Sequence, residues 1–362
     1  MHRLRYLYGV IALLLLPIGM QAQMFNDTID RSAEDFVKAY LVVVEPGGAL
    51  YSVYGHSCLH LVCKAYGMDY YFSYESEDAE NKILTFLSGN LKMGMARLSA
   101  EEYIGPFKDE GRGLNEYEIL LPLKFKKELW RVLDEHVDEG MYLPYDFESR
   151  GCAYACHVIL KEALGKTPIQ YGEWDEHFDL TRREILHNYS YERYPWNTAL
   201  IHIIVGSKGD AQLPKDEKLV LPTDLAVMWQ QATVAGSQIL SKEPINVSPS
   251  KGRQQHSWCT PLFVSLMLLL LSVAGLFASM LQWKGLKAAS VVVDYVVLAV
   301  QTAIGALVTY LVVFSTLPCT EWNWLIIPFN IMPLLCWYWR KYWALPYSIV
   351  IGAWIIGITV IR

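Results

Sequence analysis

Three rhythms of polar and apolar residues succeed one another along the chain. Residues 1–22 open with His2, Arg3 and Arg5, run apolar from Tyr6 to Met20 and close on Gln21-Ala22. A basic start, a short apolar stretch and a small residue at its end predict an export signal cleaved after Ala22. An uncleaved anchor is the alternative, but Pro17 and Gly19 break the run before the roughly 20 residues that a spanning helix needs. In either case the next segment lies outside the cytoplasm.

Residues 23–240 mix short apolar runs with charge and predict an α+β domain. Tyr40 to Val44, followed by Glu45-Pro46-Gly47-Gly48, reads as a strand and a turn. His56 to Cys63 and Asp69 to Tyr74 read as strands joined at Ala65-Tyr66-Gly67, and Tyr117 to Leu121 as another. Lys124 to Glu139 has helical spacing through Phe125, Leu129, Val132 and His136. Cys152 to Leu164 reads as a helix stopped by Gly165, so the strands come first and the cysteine helix last. Residues 241–258, with Ser, Pro, Lys and Gly, read as a linker.

The rhythm changes again over 259–362, where four membrane spans are expected at about 260–281, 290–316, 323–339 and 345–361. The first has no charge and the second only Asp294, whereas the last two contain Pro328, Pro333 and Pro346. With the domain outside, the inner loops carry Lys284, Lys287, Arg340 and Lys341, as the positive-inside rule requires. The 53% hydrophobic content therefore describes two unlike halves. A net charge of −6, with no basic stripe, excludes a nucleic-acid module.

Seven cysteines in an exported chain invite disulfides, but the spacing resists them. Cys58 and Cys63 have opposite parity on their strand, and Cys152 and Cys156 lie one turn apart on a helix. Free thiols outside the cytoplasm call for a reason. Cys152 follows Glu148-Ser149-Arg150-Gly151 at a helix start, where the backbone dipole lowers a thiol's pKa, and a histidine such as His56 would complete a nucleophile and base. The alternative is a small buried core residue, a description that suits Cys156 better. His56, Cys58 and His60 alternate onto one strand face, yet lack the paired short spacings of a structural zinc site, so no metal and no cofactor is expected.

The matching segments Tyr54-Gly55-His56-Ser57, Tyr71-Phe72-Ser73-Tyr74, Gly111-Arg112-Gly113 and Tyr145-Asp146-Phe147 to Gly151-Cys152-Ala153 resemble the Lnb family, the lipoprotein N-acyltransferases of Gram-negative bacteria. Pro195-Trp196, Gly206 to Asp210, Leu221-Pro222 with Asp224, and Asn323-Trp324 with Pro328 and Asn330 also fit. The resemblance implies a permuted papain and NlpC/P60-like domain held in the periplasm by a multi-pass inner-membrane anchor. It carries the nucleophile onto Cys152 and the base onto His56 but does not fix the orienting group; Ser73, Tyr74 and Glu75 follow the histidine strand at the right place, Tyr74 is the choice among them, and Arg112, Ser57 and Ser73 are expected in support. Trp322, Asn323, Trp324 and Asn330 would touch lipid at the outer interface. One departure stands out: Gly151 occupies the family's asparagine position, so only backbone N–H groups could form an oxyanion hole there. The implied reaction moves an acyl chain from a membrane phospholipid, through a Cys152 thioester, to the lipidated N-terminal cysteine of a lipoprotein. A membrane-anchored cysteine hydrolase acting on peptidoglycan would use the same pair, and a membrane assembly protein would need neither residue.

Overall fold

The computed structural model describes residues 29–48, 52–76, 83–145, 150–172, 180–212, 221–252, 258–281, 284–332 and 340–360. The signal expected at 1–22, residues 146–149 before the cysteine helix, and residues 333–339 of the third expected span lie outside them.

Strands β1 (Lys38–Val44), β2 (His56–Cys63), β3 (Met68–Ser76) and β4 (Lys92–Leu98) form an antiparallel meander. A short helix α1 (Ile83–Leu87) precedes β4, and helix α2 (Ala100–Glu110) follows it. Next come β5 (Leu114–Glu118), helix α3 (Leu123–Asp138), β6 (Tyr142–Pro144) and the cysteine helix α4 (Cys152–Leu164). After β7 (Ile169–Gln170) the chain forms α5 (Arg182–Ser190), α6 (Pro195–Ile204), α7 (Pro222–Gln231), β8 (Thr233–Val234), β9 (Ser237–Gln238) and β10 (Ile245–Ser248). The main sheet has the order β10-β5-β1-β2-β3-β4-β6, and every pairing in it is antiparallel.

Strand alternation gives this sheet two apolar faces. Leu41, Leu59, Leu61 and Phe72 pack against Leu129 and Leu133 of α3, Ile159 and Leu160 of α4, and Trp229 of α7. Val42, Val44, Cys58 and Tyr71 pack with Tyr103 of α2 on the other face. Helix α2 was absent from the elements expected, although its start carries a legible signal. Ser99 and Glu102 form a capping box, in which each side chain accepts from the other's backbone N–H, and Gly111 ends the helix at a φ of 73°.

Two expectations shift at the edge of the sheet. The strand expected at Tyr117–Leu121 begins instead at Leu114, because β1 pairs with Leu114 to Glu118. The linker expected over 241–258 contains β10, which covers the outer edge of β5, where an unpaired row of N–H and C=O groups would otherwise be left.

The C-terminal region is helical: α8 (Pro261–Met280), α9 (Lys284–Phe314) and α10 (Arg340–Val360). Two of these helices are long and apolar enough to cross a membrane, over Pro261–Ala278 and Ala288–Phe314, while α10 has a shorter apolar stretch, Leu345–Val360. Residues 323–332, the described part of the third expected span, are not a continuous helix. They form a 3-10 turn at Trp324–Ile326 and then irregular chain packed into the bundle. Pro328 cannot donate to a helix, and its carbonyl accepts instead from the amide of the fully buried Gln301 at 3.0 Å. The Asn330 backbone lies so close to Gly305 that an added Cβ would come within 2.5 Å of its carbonyl oxygen. Non-helical backbone inside such a bundle persists only where protein groups satisfy it.

Helix α6 joins the two regions, since its Ala199 packs with Val297, Leu298, Phe329 and Tyr347. Beyond it, Gly206 donates to the Cys319 carbonyl at 2.6 Å. The backbone approach is tight, for a Cβ there would meet the Glu321 carbonyl oxygen at 2.3 Å.

Gly55, immediately before β2, has a φ of 79°, and a Cβ there would meet the Val44 carbonyl oxygen at 2.6 Å; Gly67 has a φ of 63° with open space around it. Gly67→Ala should therefore cost only the left-handed backbone penalty, about 1–2 kcal/mol. Gly55→Ala should cost clearly more. Thermal unfolding of the detergent-solubilised chain checks this order, and equal losses would contradict it.

Candidate active site

Helix α4 starts at Cys152 because Gly151 is extended, with φ −83° and ψ −167°, and turns the chain into the helix without offering a side-chain cap. The first-turn N–H groups thus keep their positive end free beside the thiol. Among the described residues, no heavy atom beyond its chain neighbours lies within 4 Å of a Cβ placed on Gly151.

Cys152 is half-buried, and its thiol meets the first two residues of β2. It hydrogen-bonds to the His56 ring and to both the hydroxyl and the N–H of Ser57. Consecutive strand residues point to opposite faces, so a thiol touching both sits at the strand's end. Burial opposes ionisation of Cys152, but the His56 charge, its hydrogen bond and the two from Ser57 outweigh it and lower the thiol pKa to about 7. For His56, burial works against the charged ring. The Cys152 thiolate, its hydrogen bond and the Glu75 carboxylate nevertheless raise its pKa, against the opposing charge of Arg112. The pair is thus biased towards thiolate and imidazolium. Cys156, one turn along α4, has the opposite fate: burial pushes its thiol far up, and its S–H reaches only Ser57 Oγ at 3.9 Å.

Of the side chains expected around this pair, the structure brings some together and separates others. His56 Nε2 lies 2.8 Å from Ser73 Oγ, so Ser73 stands where an orienting group would. Tyr74 does not. Cross-strand pairing sets His60 opposite Tyr71, so alternation along both strands puts Ser73 on the His56 face, and Tyr74 points to the other face of β3. There its hydroxyl meets His136 Nδ1, whose Nε2 lies 3.1 Å from Glu162 of α4. The phenol is buried, which raises its pKa. Tyr74 thus ties β3 to α3 and α4 rather than orienting His56.

Arg112 is 6% exposed and follows α2, with its guanidinium 4.8 Å from the Phe107 ring centroid. The same ring lies 6.4 Å from that of His56, and Tyr103 flanks it at 6.5 Å. These aromatic neighbours were not among the expected site residues, because they belong to the overlooked helix α2. On the same sheet face, His60 is held by Asp69 at 2.8 Å and Glu116 at 2.9 Å and stacks between Tyr40 and Tyr71. Among the described residues no cluster is arranged to hold a metal, and every cysteine there is free.

The four residues expected to touch lipid divide. Trp322 and Trp324 are 65% and 60% exposed and stack 6.1 Å apart. Asn323 is buried instead, donating to the Ile203 carbonyl at 2.7 Å and accepting from Leu325 N–H. Asn330 closes its own turn through Ile327 and Met332. Both asparagines bind backbone through their side-chain amides. A crevice of about 240 Å³ opens where α6 meets the start of α8 and the end of α10, lined by Tyr191, Pro195, Thr198, Thr260 and Ile358, and includes neither Cys152 nor His56.

Residues 253–361 match the Lnb transmembrane domain. No curated protein and no solved structure matches the chain. The match covers the helical region and leaves out the domain carrying Cys152 and His56. Together with the two long apolar helices, it makes this a membrane protein with a transmembrane domain, and it supports Lnb-type membership.

Alkylation by iodoacetamide should strike Cys152 and spare Cys156, rising with pH through about 7 as the thiol ionises. In His56→Ala the midpoint should move up towards the ordinary thiol value of 9.0 or beyond, since burial then acts unopposed. At pH 7 the thiolate fraction would fall roughly fiftyfold, and the greater intrinsic nucleophilicity of the more basic thiolate would offset part of this, leaving a net loss of about fivefold to tenfold. An unchanged midpoint, read by peptide mass spectrometry, would refute the pairing. Asn323→Ala should lower stability by about 1–3 kcal/mol, since it strips a buried carbonyl of its donor. Thermal unfolding in detergent measures this.

Proposed function

We propose that the chain is a lipoprotein N-acyltransferase of the Lnb type, with Cys152 as nucleophile and His56 as base. The observation that carries this reading is a thiol with its pKa lowered to about 7 beside a histidine, in a chain whose C-terminal region matches the Lnb transmembrane domain. We place the chain in a bacterial inner membrane, with the thiol domain in the periplasm.

In the first half-reaction the Cys152 thiolate attacks an ester carbonyl of a membrane phospholipid. The carbonyl oxygen becomes an oxyanion that the N–H groups at the start of α4 can stabilise. The ester C–O bond then breaks, His56 gives its proton to the departing alkoxide, and a lysophospholipid leaves. In the second half, the α-amino group of a lipoprotein's lipidated N-terminal cysteine attacks the thioester. His56 takes the amine proton, the amide forms and the thiolate is regenerated. Ser73 fixes the ring through its 2.8 Å contact, and Ser57 steadies the thiolate. No cofactor enters either half.

Sulfur suits the exchange, because a thioester yields to an amine far more readily than an oxygen ester does. Water must be excluded meanwhile. A domain packed through α6 against a membrane bundle supports this reading, because both substrates are lipids already held in the bilayer.

In a strain with no other N-acyltransferase, Cys152→Ala should leave lipoproteins diacylated, and His56→Ala should cut the transfer rate by about 10²–10⁴. Ser73→Ala should cost less, because it removes orientation and leaves the proton carrier. Mass spectrometry of lipoprotein N-termini reads all three. Persistence of triacylated N-termini in the Cys152→Ala strain would rule out the mechanism.

A further inference from the structure

Arg112 carries an unmet demand. Its Nε donates to the Glu45 carbonyl at 2.7 Å, and its Nη1 makes a long 3.4 Å contact with the half-exposed Glu110 carboxylate. Its Nη2 is buried and has no hydrogen-bond partner among the described residues. Glu45 does not supply one, for its carboxylate turns to the Gly113 N–H at 3.3 Å. A buried cation with an unpaired donor is costly, so a bound group that brings the missing acceptor to Nη2 would be favoured there.

Position narrows the identity of that group. The guanidinium stacks on Phe107, whose ring also borders His56. Its charge weakly opposes protonation of His56. The planar fork of a guanidinium suits the paired oxygens of a phosphate better than a lone carbonyl. In a phospholipid the phosphodiester lies a few bonds from the ester that reacts.

We propose that Arg112 binds the phosphodiester of the acyl-donor lipid, so that the site selects phosphate-bearing donors over neutral glycerides. This rests on the acyltransferase reading and deepens it. A phosphate on Nη2 would position the neighbouring ester over Cys152. It would also partly neutralise the cation that opposes His56 protonation.

The test uses the full-length protein in vesicles with a diacylated lipopeptide acceptor and either a phosphatidylglycerol donor or a diacylglycerol donor of the same acyl chains, with triacylated product read by mass spectrometry. The wild type should prefer the phosphatidyl donor. Arg112→Gln should reduce that preference at least tenfold, mainly through the donor KM, and Arg112→Lys should restore part of it. With wild type alone, soluble glycerophosphocholine should compete with the phosphatidyl donor where glycerol does not, so the outcome does not depend on the variants folding. Equal losses with both donors, or no competition by glycerophosphocholine, would overturn the proposal. Inhibition by inorganic phosphate with an unchanged donor preference would mark a free-anion site and overturn it as well. A wild type that moves no acyl chain from either donor would instead defeat the acyltransferase reading itself.

Discussion

The thiol of Cys152 is ionisable near neutrality because two chain segments nearly a hundred residues apart meet at one point, the start of α4 and the start of β2. Burial alone would hold the proton on sulfur, as it does on Cys156 one turn away. The His56 charge and the Ser57 donors reverse that, and such terms act only at hydrogen-bond distance. Everything that fixes β2 and α4 therefore bears on the chemistry. Gly55 delivers His56 into the strand with a left-handed turn, and β1 and β3 lock its register. The α3 and α7 side chains pin α4 against the sheet, and Tyr74, His136 and Glu162 link β3, α3 and α4. A slip of one residue in β2 would exchange His56 for a neighbour on the opposite face.

The membrane region is coupled to this framework through α6. Arg183 of α5 binds the carbonyls of Val205 and Gly206 at 2.8 Å each and pairs with Asp210. Asn323 grips Ile203 from the other side, and Tyr310 and Thr316 bind the carbonyls of Leu84 and Ser88. These are backbone-directed contacts, which resist sliding better than apolar packing alone. The His187 and His202 pair between α5 and α6 is buried, and burial with the nearby Arg183 charge depresses His202 to about 3. His202 is therefore neutral packing at the joint. A rigid joint suits the proposed reaction, in which a soluble-domain thiol must meet substrates that never leave the bilayer.

Much of the site was legible before the fold was known. The strand His56–Cys63 and the helix Cys152–Leu164 follow from β-favouring residues, helical spacing and the Gly165 stop, and their ends agree with the structure. The orienting group was not legible in the same way. Ser73 and Tyr74 are adjacent, and only the pairing of β3 with β2 decides which shares the His56 face. Arg112 was noticed through its Arg-Gly neighbourhood, yet its unmet donor follows from where α2 sets it. Helix α2 is marked at its ends by Ser99, Glu102 and Gly111, while Pro106 interrupts its otherwise helical stretch.

The sequence by itself determined the elements and their environments: an export-like start, an α+β domain with a helix-start cysteine, and apolar runs long enough to span a bilayer. Those properties depend on local periodicity and composition, which neighbouring residues carry among themselves. The tertiary structure decided which side chains meet. It gave His56 to Cys152 and Ser73, sent Tyr74 to the opposite core, buried Asn323 against α6 and broke residues 323–332 into a turn held by Gln301. Electrostatic and hydrogen-bond terms fall away within a few ångströms, and such distances are set by register and packing between segments remote in sequence.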